Sequence, residues 1–242
     1  MSDWSARSLA RRLGEEFAGL PAGTRVASEH ELMRRFGVSR SLVRAALDEL
    51  VTRFLLRRVQ GAGTFLNNRI DYVISSRNPP SLHQTVAAAG SEARTFLVDV
   101  TQMPVPDVVA TALECDPGTP LNRLLRVGYV DDLIANSIEE WLAPEVLEHV
   151  DVSLRAVESL NEVLRMGRYQ PVRAWSRAAP DFPPEDVEER LELERAVPVW
   201  TIETVTRDAR TGRALLYSRS WMRQDVIRLV FEFDNPDLAY PG

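Results

Sequence analysis

Between Trp4 and Phe17 the apolar residues Leu9, Leu13 and Phe17 recur at four-residue steps, so they share one face and predict a first helix. Pro21 and Gly23 in the run LPAGTRV break that period. Ser28-Glu29-His30-Glu31 is a capping box, in which hydroxyl and carboxylate each satisfy a backbone N–H of the other, and it starts a second helix at Ser28. The inward stripe of that helix is Leu32, Met33 and Phe36. Gly37-Val38 is too short for a loop of its own and reads as the tight turn between paired helices, after which Ser39 caps a third. The third helix turns Leu42, Val43, Ala46, Leu47 and Leu50 inward and leaves Arg40, Ser41 and Arg44 on the opposite, leading face. LLRRV and TFL follow as two short β-prone runs joined by Gln60-Gly61-Ala62-Gly63, a hairpin or wing.

Residues 67–81 lose the helical period and gain Pro79 and Pro80, which reads as a connection with the boundary near residue 75. The division expected is 1–70 for the head, 71–81 for a linker and 82–242 for a second domain. Beyond the linker the pattern predicts a helix over 82–89, a strand over 95–102, a helix over 107–113 and a turn at Asp116-Pro117-Gly118. Strands over 121–130 and 134–141 come next. Ser159 with Glu162 caps a helix through Leu164, and Pro184 starts an acidic helix over 185–195. Strands over 173–178, 199–207, 214–222 and 226–233, with Thr211-Gly212 as a hairpin turn, complete a mostly antiparallel α+β unit.

Composition narrows the class. Apolar residues make up 45% and charged residues 26% of 242, an ordinary globular mixture, and no apolar run reaches the roughly 18 residues of a spanning helix. The amino terminus lacks a continuous apolar segment, so no secretory signal and no membrane partner are expected, and the location expected is the cytoplasm. One cysteine, Cys115, and three histidines, His30, His83 and His149, leave no Cys/His zinc cluster; no metal and no cofactor are expected. All 29 basic residues are arginine, each able to fork onto phosphate or carboxylate. Residues 1–70 hold twelve of them against seven acids, a net of +5, and the remainder carries −11. A basic head on an acidic body points to nucleic-acid binding by the head alone.

Three helices and a hairpin, with Arg and Ser in the first turn of the last helix, form the geometry that places a helix N-terminus in a major groove, where Arg donates twice to guanine O6 and N7. The stretch VASEHELMRRFGVSRSLVRAALDELVTRFLLRRVQGAGTFL resembles the winged helix-turn-helix of GntR-type bacterial transcription regulators, through SEHEL, FGVSRSLVR and QGAGTF in order. That resemblance implies a DNA-contacting set of Ser28, His30, Ser39, Arg40, Ser41, Arg44, Gly61, Gly63 and Thr64. The partner it implies is double-stranded DNA, read by a homodimer on an inverted-repeat operator. Three residues depart from the family pattern. His30 stands where Arg is usual, Ala62 where the wing often has a cation, and Phe54 where a glycine usually ends the recognition helix. At that last position φ is often positive, so either the helix ends differently here or the wing is re-aimed.

The second domain, through PGTPLNRLLRVGYVDD, PVWTIETVTRDARTGRALLYSRSWMRQD and IRLVFEF, resembles the UTRA effector domain of the HutC branch of that family. The resemblance implies a chorismate-lyase-like α+β fold that binds a small molecule without turning it over and that mediates dimerisation. Family members that bind an amino-sugar phosphate do so at positions corresponding to Leu82, His83, Arg126, Gly128, Ile138, Leu216 and Met222. Of these only Arg126 keeps the charge expected, since Gly128 replaces a second Arg and Ile138 and Leu216 replace carboxylates. The expectation is a compact, more apolar anion as effector and not an amino-sugar phosphate; Arg126 either meets that anion or pairs with Glu139 or Glu140 and binds nothing.

Two other readings stand beside the effector-controlled repressor. One is a regulator whose second domain is degenerate and ligand-free. The other is an enzyme on the chorismate-lyase-like fold, which would have no use for the basic head and for which residues 80–242 offer no Ser-His-Asp order and no evident carboxylate pair, unless folding assembles Glu139, Glu140 and Asp181.

Overall fold

The computed structural model describes residues 4–59, 61–75, 81–144, 146, 150–193 and 196–233. The chain divides into two units, Met1–Arg69 and Ile70–Gly242.

In the first unit, helix α1 (Ala6–Phe17) starts at a Ser5–Ser8 capping box and buries Leu9, Ala10 and Leu13. Helix α2 (Glu29–Phe36) starts at Ser28, whose hydroxyl accepts from the Glu31 N–H while the Glu31 carboxylate accepts from the Ser28 N–H at 2.7 Å. Those bonds hold the Glu31 carboxyl below the usual carboxylate range. Gly37, at φ 64°, ends α2 in the left-handed conformation that glycine adopts without strain, and Ser39 caps helix α3 (Arg40–Thr52). Strands β1 (Leu56–Val59) and β2 (Gly63–Leu66) pair antiparallel as the wing. Leu9, Leu13, Leu32, Val43, Ala46, Leu47, Leu50 and Leu56 form one core, with Met33, Phe36 and Leu42 packed on its edge. The LPAGTRV run does more than break a helix. Val26 N–H donates to the Thr64 carbonyl and Leu66 N–H to the Thr24 carbonyl, laying residues 24–26 along β2.

Helix α3 ends as a glycine-capped helix would, although its next turn carries Phe54. Leu55 N–H reaches the Leu50 carbonyl and Phe54 N–H the Val51 carbonyl, the two bonds of a Schellman cap. Phe54 takes φ 57° to make them. The Asn67 side-chain amide donates to its carbonyl at 3.2 Å, and the Arg69 guanidinium lies 5.3 Å from its ring. Of the two alternatives raised by Phe54, a helix that ends differently is corrected: the cap geometry is kept, and Phe54 itself takes the positive φ.

The second unit begins with strand β3 (Ile70–Ile74), inside the stretch expected to be linker. It pairs in parallel with strand β10 (Ile227–Phe231), from Ile70 opposite Ile227 to Ile74 opposite Phe231. Pro79 and Pro80 lie outside the described residues. Helix α4 (Leu82–Ala88) leads to strand β4 (Ala93–Pro104), helix α5 (Asp107–Leu113) and strands β5 (Pro120–Val130) and β6 (Leu133–Leu142). Helices α6 (Val150–Val157) and α7 (Leu160–Met166) precede strand β7 (Pro171–Asp181), helix α8 (Glu185–Arg190), and strands β8 (Val199–Asp208) and β9 (Ala214–Met222). Helix α6 has no counterpart in the sequence reading, and α8 stops at Arg190, short of the expected 195.

Six strands form one antiparallel sheet in the order β4-β5-β6-β9-β8-β7. Two apolar clusters flank its middle. One joins α5 and α7 to Leu124, Leu142 and Leu216; the other joins β3, β10 and α4 to Val130, Ile202 and Met222. A third, of Val127, Val199 and Trp221 with Val187 of α8, covers the sheet face opposite to Arg126. No described helix is long and apolar enough to cross a membrane.

Candidate functional site

The DNA-facing candidates sit where helix caps put them. His30 is exposed on the first turn of α2, and Arg40, Ser41 and Arg44 are exposed on the first turns of α3. Ser28 and Ser39 cap their helices while staying exposed, Ser28 with Glu31 and Ser39 through a 3.4 Å bond from Leu42 N–H; the Ser39 and Ser41 hydroxyls are 3.0 Å apart. Glu29 draws the two arginines together: Arg40 Nε donates to its Oε2 at 2.9 Å, and Arg44 Nε lies 3.6 Å from Oε1. Both guanidiniums remain mostly exposed, at 70% for Arg40 and 56% for Arg44, so solvent screens these pairs and each holds by about 1 kcal/mol or less. They are oriented, yet can be released to a base edge.

On the wing, Gly61 and Gly63 take φ 73° and 121°, and Thr64, half-buried, pairs with Arg58 across the hairpin. The Arg25 guanidinium packs against Gly63, 3.0 Å from where a Cβ would stand. The sequence has Ala62 where a wing cation is usual and gives no sign that Arg25 stands beside the same turn. The charge is supplied from residues 24–26 by their pairing with β2, a contact between segments with no local signal.

In the second unit a cavity of about 70 Å³ opens on the sheet face between the two apolar clusters. Leu82, His83, Arg126, Ile138, Leu216 and Met222 all line it, together with Tyr72, Thr95, Asn136, Glu140, Asn161 and a set of Ser and Thr hydroxyls. Strand register explains the convergence. Arg126 stands opposite Ile138 and Gly128 opposite Asn136 on β5 and β6, Asn136 opposite Met222 on β9, and alternate residues point the same way. Gly128 itself is not a lining residue. A Cβ there would lie 2.0 Å from Asn136 Oδ1, so the space beyond it belongs to the Asn136 amide.

Arg126 is not held in reserve for an anion. Its Nε and Nη2 donate to the two Glu140 oxygens at 2.6 and 2.8 Å, and its Nη1 donates to the Glu158 carbonyl at 2.9 Å. Arg126 and Glu140 expose 7% and 6% of their side chains, a buried and forked ion pair. Of the two readings of Arg126, the structure displays the pairing with a carboxylate, and the expected open cation is corrected. The reason is strand geometry: Glu140 is two residues beyond Ile138 on the same face, diagonal to Arg126. Glu158, at φ 60°, turns its carbonyl inward while its carboxylate takes a forked bond from Arg94 and a bond from Thr95 N–H, which lower its pKa. His83 Nε2 meets Thr95 Oγ1 at 2.9 Å. Burial, then the Arg126 charge, pushes its pKa below 6.5.

Glu139 and Glu140 face opposite sides of β6, Glu139 accepting from Trp141 Nε1 at 3.0 Å, so folding does not bring them together as a carboxylate pair. Among the described residues no group of three or more His, Cys, Asp or Glu could hold a metal ion.

A basic winged helix-turn-helix head and an α+β domain with a built cavity define a two-domain DNA-binding regulator. The family model of the bacterial regulatory proteins of the gntR family matches residues 10–66, and that of the UTRA domain matches residues 88–228. The chain belongs to the GntR family of transcription regulators, in its UTRA-containing HutC branch. It is 29% identical over 213 residues to the HTH-type transcriptional regulator GgaR of Escherichia coli, covering 88% of this chain and 84% of the relative. It is 25% identical over 209 residues to the HTH-type transcriptional repressor NagR of Bacillus subtilis, covering 86% and 84%. Among solved structures, PhnF from Mycobacterium smegmatis shares the fold with a TM-score of 0.62 at 22% identity, over 93% of this chain and 98% of that one.

Proposed function

We propose that the protein is a homodimeric cytoplasmic repressor that binds an inverted-repeat operator and releases it in response to a small molecule held in the cavity of the second domain. In this reading Arg40 and Arg44 contact bases in the major groove, and Ser39 and Ser41 contact the flanking phosphates or base edges. Ser28 and His30 lie on one strand of backbone, and the wing, through Gly61, Gly63, Thr64 and the neighbouring Arg25, lies on the other. The observation that carries it is the pair of exposed guanidiniums at the N-terminal end of α3, pre-aligned by one carboxylate of α2. Two-fold symmetric dimers require two-fold symmetric sites, hence an inverted repeat. A ligand controls affinity only if it prefers the dimer conformation whose recognition helices are wrongly spaced for the half-sites.

The closed Arg126–Glu140 pair and the small cavity favour a second reading, a ligand-free second domain that serves assembly alone. It predicts an operator affinity that no metabolite alters. The base-reading role is tested by Arg40→Ala, for which we expect a loss of about 1–3 kcal/mol on selected operator DNA and relaxed preference at one base position per half-site. Equal losses on selected and random duplexes would refute it.

A further inference from the structure

The cavity contains a buried side chain that the protein leaves without a partner. Asn136 is 1% exposed and lines the cavity, and neither its Oδ1 nor its Nδ2 meets a hydrogen-bond partner. Asn161, across the cavity on α7, uses its Oδ1 to accept from Arg165 Nε, while its buried Nδ2 likewise meets none. A buried amide left dry loses the hydrogen bonds that water gives it in the unfolded chain, so two of them in one cavity are a standing demand for a hydrogen-bonding guest. The charges of the same cavity make no such demand, because Arg126 and Glu140 neutralise each other through two short bonds and the Glu158 carbonyl takes a third donor.

We infer that the cavity selects a compact, uncharged ligand rich in hydroxyl or amide groups, read by Asn136 and Asn161, and that the Arg126–Glu140 pair excludes anions from it. The inference rests on the effector reading above. Asn136 offers one acceptor and two donors side by side, the complement of an amide or of neighbouring hydroxyls. The position on β5 from which a second cation could reach the guest is closed, since any Cβ at residue 128 collides with Asn136. Inserting a phosphate or carboxylate would bring a negative charge beside Glu140 at low local polarity, or force Arg126 to exchange a forked internal partner for an external one at no gain. Neutral guests carry no such penalty.

The test uses the full chain and four pairs of ligands that differ by one phosphate: glycerol, ribose, glucose and N-acetylglucosamine, each beside its phosphate monoester, read by thermal shift and calorimetric titration. The expected result is that at least one neutral member binds and raises Tm while its phosphorylated twin does not. Asn136→Leu, of nearly the same volume, should raise the Tm of the ligand-free protein and weaken the neutral ligand about tenfold or more per lost hydrogen bond, an opposition that a purely structural asparagine would not produce. Glu140→Gln leaves Arg126 uncompensated and should let a phosphorylated member bind, which supports the charge exclusion even if no neutral member of the set fits. Should that variant not fold, the twin comparison on the unaltered chain decides alone. Tighter binding of a phosphorylated member by the unaltered chain would overturn the inference and leave effector control standing. Absence of binding by any member to either the unaltered chain or Glu140→Gln would overturn both.

Discussion

Phe54 shows how one residue can oppose its own backbone and still be kept. A side chain in the left-handed region costs about 1–2 kcal/mol, and here the cap it completes and the Arg69 and Asn67 contacts offset that cost. Phe54→Gly should therefore be more stable than Phe54→Ala by about 1 kcal/mol, read as a higher unfolding midpoint, because both variants lose the Arg69 contact with the ring and keep the Asn67 bond to the backbone carbonyl, and only alanine keeps the strain. A second residue-scale expectation concerns pH. Burial holds the His83 pKa below its ordinary 6.5, so the folded chain binds fewer protons there than the unfolded one. The stability this contributes is fully present above pH 6.5 and is lost as pH falls below it. Thermal unfolding midpoints between pH 5 and 8 should drop on the acid side, and the drop should be shallower in His83→Gln. An unchanged profile in that variant would assign the acid sensitivity elsewhere.

At the scale of elements, what the sequence reveals is what local chemistry decides. The capping box at Ser28 and the N-caps at Ser159 and Ser39 mark the starts of α2, α7 and α3, although Glu162 does not return the bond to Ser159 that the sequence offers, and alternation marks β5, β6, β8 and β9 close to their observed ends. Strand β3 was hidden because its partner is β10, with Asp71 and Arg228 forking together across 157 residues of sequence. The wing cation was hidden for the same reason, since Arg25 reaches Gly63 only through the pairing of residues 24–26 with β2. The cavity lay between these cases. Its lining residues on β5, β6 and β9 follow from alignment, whereas the Arg126–Glu140 diagonal needs the register that only folding sets. Glu29 is the element-scale device in the head, linking the first turn of α2 to the first two turns of α3. Glu29→Gln should leave stability within about 0.5 kcal/mol, because the pairs are exposed, and should reduce discrimination between selected and random DNA by freeing both arginines from their alignment.

For the whole molecule, the head supplies cations and a helix end, and the second unit supplies a cavity and a sheet on an acidic chain. In the proposed reading two heads act together, because one recognition helix reads too few base pairs to single out a site in a genome. The measurement that tests this most directly is the binding of the full chain to duplexes selected from a random library, with stoichiometry and half-site spacing both recorded. The account predicts an inverted repeat bound by two chains, with affinity falling by several orders of magnitude when five base pairs, about half a helical turn, are inserted between the half-sites. One chain per duplex, with affinity indifferent to that insertion, would contradict it.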